Sequence, residues 1–365
     1  MTENPLDLLP ELLLLGGALA TLVSGLFSPR RRQYRAGAVA GATVLAALIA
    51  SIAQWTGPTR MAFEDSYRVD GVTGAVRCIV TVSSLLLLAL FRSQFKDHAR
   101  ETEAYVLLLL AALGAITLAG ANDLLLLMGA FTVASVPLYA LTGFGKDSPG
   151  TEAAMKYYLM GALFGIVLLT GITVLFGLAG QSAYPALPAG LIAAPPAALV
   201  FAVVAVVAGL SFKTGAVPVH FWVPDVAEGA GAAVAAAVTT LPKVGGLAAM
   251  YRLFDTALLH VSIDWRLLLA VVAVASMTLG NFAAFFQDKT RRLLGYSTIS
   301  QVGYLMVPLV VLGRVPQAGT VLLFYLAAYA LTNIGVFAVV AALPHLGDLG
   351  DYRGLGRSQP ALVLA

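Results

Sequence analysis

The chain has 365 residues, 59 % of them hydrophobic and 11 % charged, with a net charge of +3 and a mean hydropathy of +0.87. Soluble chains carry about 25 % charged residues, so an ordinary water-soluble globule is excluded. No nucleic-acid partner is expected, because the small positive excess lies in connections between apolar runs. The single cysteine, Cys78, excludes an internal disulfide and a thiolate metal cluster.

Apolar runs of about 20 residues, each long enough to cross a bilayer as a helix, recur along the chain. They are continuous rather than alternating, so helices are expected and a barrel is not. The first, 6–27, has acidic flanks and no small-residue cleavage site, which argues against a cleavable signal. The runs 36–55, 70–91, 104–120, 122–143 and 152–178 follow. A proline- and alanine-rich loop without charge, 178–196, separates them from the run 197–228. That run is too long for one straight crossing and contains Gly215, Pro218 and Pro224. An interior proline removes a helix bond and clashes with the preceding turn, so a broken helix is expected there. The runs 230–254, 266–286, 292–312 and 317–342 complete the set, and another starts at 360. The expected class is an all-α polytopic membrane protein of 11–12 transmembrane helices, a single integral membrane domain over 1–365.

Loop charges orient these spans. One face carries thirteen lysines and arginines, including Arg30 to Arg32, Arg100, Lys146 and Arg291. The other carries five: Arg60, Arg68, Arg252, Arg266 and Arg314. The richer face is read as cytoplasmic, with the N-terminus outside and the bacterial plasma membrane as the location.

There are sixteen arginines and six lysines, and three of the lysines, Lys156, Lys213 and Lys243, fall inside predicted helices. A charge at the bilayer centre costs at least about 2.5–3.5 kcal/mol. Burial can bring a lysine, unlike an arginine, toward neutrality, so it can gain and lose a proton. Three such lysines suggest a proton path. Lys156 is near the cytoplasmic end of its span and could equally snorkel to the headgroups. Lys213, about 24 Å along its helix at 1.5 Å per residue, would lie near the far interface but for the break just after it. Such breaks expose backbone dipoles to ion sites in transporters. Lys243 is in mid-span among apolar residues. His220, seven residues after Lys213, is either a satisfied core histidine or a relay with a suitable pKa. Asp70, Asp123 and Asp225 read as caps or interface anchors, and Glu11 as structural. The four histidines lack metal spacing, and no phosphate loop, dinucleotide fingerprint or serine elbow is present.

The pieces "EAAMKYYLMGA" (152–162), "GLSFKTGAVPVHFWVPDVAEGA" (209–230), "LPKVGGLAAMYRLF" (241–254), "RRLLGYSTISQVGYL" (291–305) and "DYRGLGRSQP" (351–360) carry a resemblance. The chain resembles the N-type subunits of proton-pumping NADH:quinone oxidoreductase, respiratory complex I, from about residue 5 to its end. The 209–230 segment is shared with sister subunits and with multisubunit cation/proton antiporters; the first and last pieces favour the N type. The resemblance implies an antiporter-like bundle with inverted repeats, its antiporter-like part spanning about 104–365. It implies proton transfer through Lys156, Lys213, His220 and Lys243, and a proton-translocating role for the chain beside other membrane subunits. NADH, flavin, iron–sulfur clusters and quinone would then belong to partner subunits, with no cofactor on this chain. Two departures stand out. The family's glutamate on the fifth helix falls on Thr132, five residues before Pro137. The family runs to about fourteen helices, so a C-terminal truncation and an incomplete second repeat are expected. Remaining alternatives are a cation/proton antiporter subunit, a hydrogenase-linked pump and a non-pumping structural subunit.

Overall fold

A computed structural model describes residues 4–359. The chain is helical almost throughout, as an apolar backbone with no water to bond must be. The helices are α1 (Leu9–Leu26), α2 (Tyr34–Trp55), α3 (Gly71–Phe95), α4 (Glu101–Gly120), α5 (Leu124–Val133), α6 (Val136–Thr142), α7 (Ser148–Ala179), α8 (Leu187–Leu191), α9 (Pro196–Thr214), α10 (Trp222–Gly229), α11 (Ala232–Thr256), α12 (Trp265–Ala284), α13 (Thr290–Val310), α14 (Ala318–Ala342) and α15 (Leu355–Ser358). They form 11 membrane-length spans among the described residues, with α5 and α6 making one between them. The run expected to start at 360 lies outside the described residues.

Asp70, Asp123 and Asp147 cap α3, α5 and α7, each accepting from backbone N–H groups of the first turn, which satisfies donors a helix start leaves free. The sequence did not suggest a two-stranded hairpin, β1 (Arg60–Ala62) with β2 (Tyr67–Val69), between α2 and α3. The uncharged loop after α7 is not loose: Tyr184, Leu187 and Leu191 are buried, and Ser182 and Tyr184 bond the backbone of Leu124 and Asn122.

At the centre stands α11, wholly buried over its membrane window. It packs on α3, α4, α9, α13 and α14. Pro242 lies inside it without ending it. Among the described residues, the two crossings that do break are α5–α6 and α9–α10. The first was expected as one continuous run, 122–143. Pro137 explains the difference: its ring excludes the carbonyl four residues back, that of Val133, where α5 ends.

Among the described residues, one buried ion pair ties α3 to α1 and another ties α11 to the start of α3. Arg77, fully buried, donates Nε to Glu11 Oε1 at 2.8 Å and Nη2 to Glu11 Oε2 at 2.7 Å. Arg252 grips Asp70 with Nη1 and Nη2 at 2.9 and 2.8 Å and donates Nε to the carbonyl of Ala119. Arg252, expected among the loop charges, is therefore a buried residue of α11. Burial alone would raise the Asp70 pKa, but the hydrogen bonds and charge of Arg252 outweigh it and hold the carboxyl below its usual value.

Candidate functional site

Gly215 ends α9 in the left-handed conformation, φ +79°, which a residue with a Cβ adopts only at a cost. The chain then runs without helix from Gly215 to Phe221 before α10 begins. Irregular backbone at membrane depth must be enclosed by protein, and here Ala216 and Val219 are buried while Val217 N–H bonds Ser276 Oγ on α12 at 3.0 Å. The stacked rings of Tyr157 and Trp222, 4.2 Å apart, close the α7 side. Pro224, expected inside the break, belongs to the first turn of α10.

The break leaves Lys213 in the last turn of α9. Its Cβ and Cγ pack on Gly246 of α11, a residue about 21 Å along that helix from its start at 1.5 Å per residue. Lys213 therefore sits deep in the bundle, not near the interface, and is 1 % exposed. Its Nζ donates to Ser135 Oγ at 2.6 Å and to the carbonyl of Phe131 at 3.2 Å, with the Phe131 ring centroid 4.9 Å away. The same carbonyl accepts from Ser135 Oγ, because the Ser135 N–H bonds Thr132 instead. The carbonyl end of one half-helix, α5, thus meets the amine that the last turn of another, α9, presents. Helix C-termini carry partial negative charge, so the position favours a cation although no carboxylate among the described residues pairs with it.

Thr132, the position expected to take the family's carboxylate, does not face Lys213 with a hydrogen bond. Its hydroxyl donates to Met128 of its own helix. The hydroxyl at the lysine is Ser135, one turn on, a residue the sequence reading missed. The α5–α6 break, signalled by Pro137, is what turns it inward.

Lys243 lies on α11 with 0 % exposure. Its Nζ donates to the carbonyl of Thr298 on α13 at 2.9 Å and stands 5.6 Å from the Tyr329 ring centroid on α14. It also reaches the α9 break, 3.9 Å from where a Cβ on Gly215 would stand. Tyr329 donates to the Thr239 carbonyl, and Asn333 donates to both Thr239 Oγ1 and Thr240 Oγ1 at 2.9 Å. A row of polar groups results, running from Ser135 through Lys213 and the break to Lys243, Thr298, Tyr329 and Asn333. The pair "TT" four and three residues before Lys243 was the available sequence signal for part of it.

Lys156 and His220 stand apart. Lys156, with its side chain 46 % exposed, pairs with Glu152 and with Asp225 Oδ2, both at 2.8 Å. Asp225 Oδ1 also takes Arg292 at 2.7 Å, and Arg292 reaches Glu228 at 3.2 Å. This cluster anchors α10 to α7 and α13. His220, half-buried in the linker, hydrogen-bonds to neither lysine among the described residues. The described residues form no group of histidine, cysteine and carboxylate side chains suited to a metal ion.

Residues 121–365 match the model of a family described as NADH:quinone oxidoreductase/Mrp antiporter, transmembrane. The chain is 50 % identical over 365 residues to NADH-quinone oxidoreductase subunit N 1 of Streptomyces griseus, covering all of this chain and 77 % of that one. It is 48 % identical over 362 residues to subunit N of a Mycobacterium species, covering 99 % and 77 %. Among solved structures, a chain of respiratory complex I from Thermus thermophilus with bound aureothin superimposes with a TM-score of 0.81 at 30 % identity. The match covers 97 % of this chain and 76 % of that one. Eleven spans and two broken crossings among the described residues, with buried lysines on facing helices, define an antiporter-like, multi-pass membrane subunit. The chain belongs to the NADH:quinone oxidoreductase/Mrp antiporter family and, within it, to the N subunits of NADH-quinone oxidoreductase.

Proposed function

We propose that the chain carries protons as a membrane subunit of a complex I-like NADH:quinone oxidoreductase, through Lys213 and Lys243. It would lie in the bacterial plasma membrane with its N-terminus outside, beside other membrane subunits. Partner subunits would hold NADH, flavin, iron–sulfur clusters and quinone. The observation that carries this reading is the pair of fully buried lysines, on α9 and α11, bonded among the described residues to neutral oxygens alone. Neither amine is locked in an ion pair among the described residues, so each is free to hand a proton on, and the carbonyl end of α5 beside Lys213 accommodates the charged form when it loads.

In this reading a proton enters from the face where α10 is anchored and passes by His220 or water through the non-helical linker. It loads Lys243, and Lys213 gates the transfer as the charge of a neighbouring subunit changes. Lys156 acts at one remove, by holding Asp225 and hence α10.

The test is proton translocation by the assembled complex in sealed vesicles. Lys213→Ala and Lys243→Ala should each lower the protons moved per quinone reduced while assembly persists. Unchanged pumping by both variants sinks the reading and makes the chain a scaffold. That second reading rests on one observation: no carboxylate faces Lys213 among the described residues.

A further inference from the structure

Between α3 and α14 lies a crevice of about 780 Å³ with largely apolar walls, Ala75, Ile79, Leu323 and Ala327 among them. It extends along α3 from Gly71 to Ser83, about 18 Å at 1.5 Å per residue. The hydrocarbon of one leaflet is about 15 Å deep, half of a ~30 Å core. The crevice is therefore as deep as one leaflet.

At its surface end it meets a second pocket of about 210 Å³, with which it shares Tyr251, Pro316 and Gly319. Gly319 keeps the passage open, since a Cβ there would stand 2.7 Å from the Tyr251 hydroxyl. The second pocket carries Asp255 and Arg314. Both are exposed, and neither forms an ion pair within 4 Å among the described residues, although the charges of Arg68 and Arg252 also act on Asp255. Two exposed charges of opposite sign above an apolar slot, neither closed into a contact ion pair among the described residues, match a ligand with two charges and a hydrocarbon tail. A guanidinium binds a phosphate in a fork, and a carboxylate binds an ammonium. Trp55 stands at the rim, where amphipathic rings sit at headgroup level.

We propose that this crevice holds one zwitterionic aminophospholipid from the leaflet on that side. An acyl chain lies between α3 and α14, the phosphate sits at Arg314 and the ammonium at Asp255. The proposal is independent of proton transfer, so it stands or falls apart from the reading above.

The experiment uses the full chain in its assembled complex, in membranes supplied with phosphatidylethanolamine that carries a diazirine in the acyl chain. After irradiation, labelled peptides are mapped. Label should concentrate severalfold on 71–83 and 319–331 relative to the exposed faces of α7 and α12. Excess unlabelled phosphatidylethanolamine should suppress it more than excess phosphatidylglycerol. Ala327→Phe, which fills the slot, should abolish crevice label and leave α7 label unchanged. Arg314→Gln combined with Asp255→Asn should keep the label and lose the preference between headgroups. Equal label on the crevice and on α7 would mean ordinary annular lipid and overturn the proposal. So would an unlabelled crevice in the native chain, filled by protein, or equal competition by both lipids.

Discussion

Lys213 shows how a buried ammonium is held without a carboxylate. Leaving a charge at the bilayer centre costs at least about 2.5–3.5 kcal/mol. Ser135 Oγ at 2.6 Å and the Phe131 carbonyl at 3.2 Å, both at the end of a half-helix, offset part of it. Removing one partner of a buried polar group costs about 1–3 kcal/mol. Ser135→Ala should therefore disfavour the loaded lysine by that amount and lower the proton yield in vesicles. Thr132→Ala should leave the yield unchanged, because that hydroxyl serves its own helix. Equal effects from the two would place the lysine's partner at Thr132 after all.

The two broken crossings are built by different local rules. Proline ends α5 by what it does to Val133, whereas glycine ends α9 by adopting a conformation other residues resist. Gly215→Ala forces a side chain into φ +79°, with its Cβ 2.8 Å from Val223 Cγ2. Left-handed backbone costs an L-residue about 1–2 kcal/mol, and the crowding adds to it. We expect impaired pumping in complex that still assembles, measured as protons per quinone. The short α10 depends on charge. Asp225 is its link to Lys156 and Arg292, and such partly exposed pairs are worth only about 0.2–1 kcal/mol each. Asp225→Asn should leave the melting temperature nearly unchanged yet speed hydrogen exchange over 215–231, read by mass spectrometry.

The bundle is locked near one face by two arginine–carboxylate pairs that cross it, Arg77–Glu11 and Arg252–Asp70. Breaking one side of a buried pair costs about 3–5 kcal/mol. Glu11→Gln should lower the melting temperature in detergent by an amount of that order, and replacing Arg77 by Met in the same chain should restore part of it. Asp70 has a pH signature. Its folded pKa is lowered, so its contribution is complete above the ordinary aspartate value of about 3.9 and is lost as pH falls through the folded value. Asp70→Asn should melt below the native chain at pH 7 and at pH 5 alike, and the gap should close only below about pH 4. A gap that closes already at pH 6 would assign the effect to another group.

Hydropathy and charge, read along the chain, determined the class, the eleven spans and the break after Lys213, because a bilayer leaves a backbone few alternatives. Burial of Lys213 and Lys243 was legible for the same reason: both sit inside long apolar runs. What faces those lysines was decided only in three dimensions. Ser135, Thr298 and Tyr329 come from α6's entry, α13 and α14, far from either lysine in sequence. No local pattern encodes which turn of a neighbouring helix ends at a given depth. Lys156 and Arg252 make the same point. One has an ordinary place in an apolar span and proves half-exposed in an ion-pair cluster; the other looked like a loop charge and proves buried. A long cation's surroundings depend on which carboxylate the packing brings within reach, here Asp225 at 69 residues' distance and Asp70 at 182. Only the tertiary fold sets those pairings.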